Sequence, residues 1–104
     1  MQHPRAQLPS RDAFSAAVTT SFDVSAGDHP PVEFTLVECN TLLDSETQET
    51  YSLLFRGPSG LPPVQGIYAL ENEKLGKLEL FLVPIKRDEQ GLYFEAIMNH
   101  LLSR

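Results

Sequence analysis

The sequence predicts a mainly β domain, a small antiparallel β-barrel of about five to six bent strands preceded by a short N-terminal helix. Three observations predict it. Apolar and polar side chains alternate over a series of short runs, which is the period-two signature of strands. The segments between those runs are of hairpin length and rich in Gly, Pro, Asp and Asn, so consecutive strands pair antiparallel. A chain of 104 residues supports one hydrophobic core and leaves no room for the crossover helices of a parallel sheet. Closing such strands on themselves removes exposed sheet edges at little cost in chain length. A two-sheet β-sandwich is the alternative.

Residues 1–9 carry Pro4 and Pro9 and little that packs, so a flexible arm is expected there, ahead of a single domain over 10–104. Ser10 reads as a helix N-cap, with Asp12 in the first turn where the helix dipole favours an acid. Phe14, Ala17 and Val18 then form a stripe that lies on a sheet, and the β-branched run after Val18 stops the helix. Phe22-Asp23-Val24 begins the first strand, ended by a loop whose Pro30-Pro31 pair has no backbone donors. Val32–Cys39 is the second strand, with Val32, Phe34 and Leu36 inward; the adjacent apolar pair Leu36-Val37 shifts the inward set to Val37 and Cys39, the mark of a bulge.

Asp44–Glu49 is a solvated hairpin loop, Thr50–Arg56 the third strand and Gly57–Pro63 its stop. A fourth strand covers Gly66–Glu71, and Asn72–Gly76 turns it into the strand around which the domain is organised, within Leu75–Ile85. There Leu78, Leu80 and Leu82 share one face, while the other ends in Phe81 and Val83. Cover on both sides is therefore expected. Pro84 belongs at an edge, a bend or the strand's end. After the charged turn Lys86–Gly91 comes the last strand, Leu92–Met98, with Phe94, Ala96 and Met98 inward; Asn99–Arg104 reads as a tail or a single helical turn.

Charge bounds the function. The net charge is −6, and Lys and Arg are absent between Arg11 and Arg56, where eight acids fall. Phosphate binding depends on Lys and Arg, so nucleic acid is an unfavourable partner, and an anionic membrane is too. No apolar run reaches the roughly eighteen residues of a membrane helix, and the N-terminus has no apolar signal core. A single Cys39 makes no internal disulfide, so a cytoplasmic protein is expected.

Catalytic constellations are not found. His3, His29, His100 and Cys39 lack metal-ligand spacing, and Ser52 and Ser59 lack the setting of a nucleophile elbow. Pro58, Pro62 and Pro63 remove the backbone donors a phosphate cradle needs. Acid pairs such as Glu71 with Glu73 sit in loops, as a solvated face does. The expectation is a chain without catalytic residues, metal or cofactor.

Candidate contact residues remain. Arg56 ends an apolar strand and is the only base between Arg11 and Lys74. Its reading is an ion pair to Glu79 or Glu95, or else an interface arginine. Leu61-Pro62-Pro63-Val64 is a stiff loop over the barrel mouth that presents Leu61 and Val64. With Tyr68, Tyr93 and Ile97 on outward faces it makes an apolar contact patch.

Four segments carry a resemblance: Phe55-Arg56-Gly57-Pro58, Gln65–Tyr68, Leu75–Pro84 and Tyr93–Asn99. They resemble a family of small bacterial β domains of unknown function, often encoded near phage-derived, tail-collar-like proteins. The likeness is strong over the last half and weaker over the helix and second strand, and it implies no catalytic residue. The helix followed by bent strands also resembles the layout of Sm-like and SH3-like barrels, although the glycine- and asparagine-centred segments of the Sm family are not found. The function expected is a non-enzymatic binding or assembly module, acting on a protein partner or by self-association through strand edges and the Tyr93/Ile97 face. The alternative is an Sm-like RNA-binding protein.

Overall fold

The protein is described from a computed structural model, which covers residues 8–27 and 29–101. Most of the expected N-terminal arm and the last three residues of the tail lie outside that range. One helix, α1 (Arg11–Ala16), precedes six strands: β1 (Ser21–Ser25), β2 (Val32–Asp44), β3 (Gln48–Gly57), β4 (Gly66–Asn72), β5 (Gly76–Asp88) and β6 (Gly91–Leu101). All six belong to one antiparallel sheet that closes into a ring in the order β1-β2-β3-β6-β5-β4. The closed sheet, not the sandwich, is the architecture.

Local chemistry explains the elements. Ser10 Oγ accepts from the Ala13 amide at 3.1 Å and opens α1, with Asp12 in its first turn. The helix closes at Ala17, and it buries Phe14 and Ala17 in the core. Inward residues alternate as expected: Phe34 and Leu36 on β2, Tyr51, Leu53 and Phe55 on β3, Leu78, Leu80 and Leu82 on β5, Phe94, Ala96 and Met98 on β6. Aromatic pairs lock this interior, with Phe22 edge-on to Phe55 at 5.2 Å and Phe34 against Phe94 at 5.4 Å. The register of β2 on β3 slips between Leu36 and Glu38, so Val37 is the extra residue of the expected bulge. Pro84 sits beside a second slip, between Pro84 and Lys86 on β5, where a missing donor is tolerated.

Three expectations are corrected. The tail is not a helical turn: β6 runs to Leu101, because Asn99 Oδ1 accepts from Gln48 Nε2 and from Thr50 Oγ1, both at 2.8 Å, and ties the polar end of β6 to β3. The loop after β2 shrinks to three residues, since β2 continues through a further slip at Thr41/Leu43 to Asp44. The organising strand is covered on one face only. Phe81 and Ile85 are about half exposed, because α1 packs against β2 and not over the outside of β5.

Pairing around the ring is uneven. β5 meets β6 only from Val83↔Glu95 to Asp88↔Gly91, so residues 76–82 of β5 pair with β4 alone and β6 from Ala96 onward pairs with β3 alone. The far ends of β2, β3 and β6 thus project as a three-stranded extension, and the molecule measures 45 × 30 × 23 Å. Helix α1 covers the inner face of that extension. Its Phe14 ring lies 6.2 Å from Tyr51, and Arg11 reaches Glu49 at 3.0 Å and Asp44 at 3.4 Å. At the opposite end Gly91 lies so close to β3 that a Cβ would stand 2.2 Å from the Gly57 carbonyl oxygen. Only glycine fits there.

Candidate functional site

The site is built at the mouth of the ring, under the loop that joins β3 to β4. Its floor is apolar because β2 and β6 turn Phe34 and Phe94 inward at this end, and β1 adds Val24. Gly57 closes β3 without a side chain; a Cβ there would meet the Phe34 ring at 2.8 Å, so glycine is what lets that ring lie beneath the loop. The wall is Leu61, Pro62 and Val64, and His29 and Pro30 from the β1–β2 loop stand opposite. Together they enclose an open-topped cavity of about 350 Å³.

The wall is held in place. Arg87 Nη2 donates to the Leu61 carbonyl at 2.8 Å, and the Tyr68 hydroxyl donates to the Val64 carbonyl. The Val64 amide donates to the Pro62 carbonyl at 3.0 Å, a tight turn that Pro62 and Pro63 stiffen. Burial pushes the Tyr68 phenol above its ordinary pKa, so it stays a donor to Val64 throughout the neutral range. A cleft already shaped before anything binds loses little ordering entropy on binding.

The candidate residues from the sequence divide into groups. Leu61, Val64 and Tyr68 come together at this mouth. Tyr68, however, faces inward rather than outward: it stands edge-on to Phe94 at 5.7 Å. Arg56 and Tyr93 are opposite each other across β3 and β6, away from the pocket. Tyr93 is on the outer face yet buried, with Lys86 Nζ 4.6 Å above its ring, so it offers no surface to a partner. Arg56 has no ion pair with Glu79 or Glu95 among the described residues; its lateral neighbours are Thr35 and Tyr93. Ile97 alone matches the outward, exposed role, and it lies on the extension rather than at the mouth.

Sequence reasoning missed His29 as a rim residue and Arg87 as the loop's anchor. Nothing in the spacing of Arg87 and Leu61 ties them together, since that contact spans twenty-six positions. It also missed Arg11 as the hub of the ion pairs, because Asp44 and Glu49 reach it only once β2 and β3 are paired. Among the described residues no three or more His, Cys, Asp or Glu side chains are placed to share a metal ion, and no helix is long and apolar enough to cross a membrane.

Fold and pocket together define a small domain with a closed antiparallel sheet and an apolar cleft at one end. The chain belongs to the family described as a domain of unknown function, DUF6916, whose model matches residues 9–98. That span runs from just before the Ser10 cap to Met98, and so takes in α1, all of β1 to β5 and most of β6. No curated protein and no solved structure matches the chain.

Proposed function

We propose that this domain is a non-enzymatic contact module that holds a protein partner by an apolar side chain seated at the mouth pocket. The observation that supports the reading is the pinned wall of Leu61, Pro62 and Val64 over Phe34 and Phe94, with Val64 more than half exposed. A cavity of about 350 Å³ accepts one or two side chains rather than a folded surface. Its lining offers little to orient a polar substrate and much to bury an aromatic or branched anchor of an extended segment. The acidic surface favours a neutral or basic segment around that anchor. A reducing cytoplasm suits the reading, with Cys39 free and its thiol pushed up by burial, hence unreactive.

Panning a random-peptide display library on the purified chain tests the proposal. The expected result is enrichment of sequences sharing an apolar anchor, lost when the same library is panned on Val64→Asp, a change at an exposed position that leaves the core alone. Equal enrichment on both proteins, or none on either, would remove the pocket as a contact site.

A further inference from the structure

We infer that two copies of this chain join through the open edge of β6, residues Ala96 to Leu101, to make one continuous sheet. The inference concerns a different surface from the mouth pocket and stands or falls separately from it.

After Glu95, β6 keeps β3 as its only strand partner among the described residues. One side of its backbone therefore presents unpaired amides and carbonyls, groups that another extended strand satisfies. Proteins blunt such edges with Lys, Pro, charge or a covering element. The ring's other open edges are treated in that way. Residues 76–82 of β5 place Lys77 and Glu79 along the edge. The edge of β2 past the β1 pairing has the end of α1 beside it: the Thr19 amide donates to the Leu36 carbonyl at 2.7 Å, and Arg11 reaches Thr41 and Asp44. The segment Ala96-Ile97-Met98-Asn99-His100-Leu101 has no Lys, Arg, Asp, Glu or Pro at all.

A second copy fits this edge by symmetry. Antiparallel pairing about a two-fold axis with Asn99 facing Asn99 of the second copy sets Ile97 opposite Leu101 of the second copy, and the reverse contact repeats it. Ile97 is 54% and Leu101 81% exposed in the single chain. Both point to the outer face, so each buries the other on pairing. No like charges meet along the paired segment, although each copy carries −6 overall. The long-range repulsion between two such chains is screened by salt, so added salt tightens the dimer.

Sedimentation equilibrium of the full chain over a dilution series is the test. The expected mass rises with concentration from 11.6 kDa toward twice that value, more readily at high salt. Ile97→Lys and Leu101→Lys, both at exposed positions, each weaken the association by about tenfold or more. Hydrogen exchange on the same samples supports the edge if amides in 96–101 lose protection on dilution while those of Leu53 and Phe55 keep it. A single mass of 11.6 kDa at every concentration and salt overturns the inference. So does a dimer that both lysine variants leave intact, or one that Val64→Asp dissociates, since that dimer would use the pocket.

Discussion

Tyr51 is the one buried side-chain polar atom without a hydrogen-bond partner among the described residues. Its ring is fully enclosed between Phe14 at 6.2 Å and His100 at 5.5 Å, and burial, with Cys39 and Glu49 nearby, pushes its phenol up to about 12. An unpaired hydroxyl in such a place costs stability while its ring supplies it. Tyr51→Phe is therefore expected to be neutral or to stabilise by up to ~1 kcal/mol in urea unfolding. Its pH signature has a definite sign. A folded-state value above the ordinary ~10 means the native state holds that proton more tightly. The contribution is fully present below pH ~10 and is lost as pH rises towards about 12; the variant lacks that decline. Gly91 makes the opposite case. Gly91→Ala drives a methyl into the Gly57 carbonyl, a backbone atom that has nowhere to go, and should cost ~3 kcal/mol in the same measurement. At this scale the sequence was only partly readable. The proline setting places Leu61 and Val64 in the loop over the mouth, where the structure has them, but charge alone singles out Arg56 for pairing when Arg11 does that work, in contacts between residues thirty-three and thirty-eight positions apart.

Strands were legible where side chains alternate and illegible where they do not. β5 and the Leu36-Val37 bulge follow from apolar period alone. The ends of β2 and β6 are exposed, with Leu42, Leu43 and Leu101 turned out beside polar residues, so no burial pattern announces them, and they exist because β3 lies between them to pair with. Register likewise appears only in the folded sheet, and it sets up a row no reading of one strand would show. Asp23 on β1 stands opposite Glu33 on β2 and Glu71 on β4, three exposed acids side by side across three strands. Like charges directly opposite one another destabilise a sheet. Asp23→Asn should then raise stability by ~0.5 kcal/mol at low salt, with the gain shrinking as salt is added; a loss of stability in thermal unfolding would show that Asp23 is held by something else.

The whole molecule is an all-antiparallel closure in which the first strand returns to the fourth, and β3 pairs with a strand that begins more than thirty residues later. Such contacts form late and slowly, because the loops between them must close first. The class of fold was readable because length, turn chemistry and strand count left few ways to finish the sheet. The asymmetry of the ring was not, since it depends on where β5 stops meeting β6 and starts meeting β4. The shortest join is β1 on β4, with Asp23↔Glu71, Val24↔Leu70 and Ser25↔Ala69 its only rungs. When those rungs part, the hoop becomes a flat ribbon with two bare margins and an unroofed greasy side. The chain's threshold for clumping is then fixed less by its core than by how firmly three residue pairs hold one seam shut.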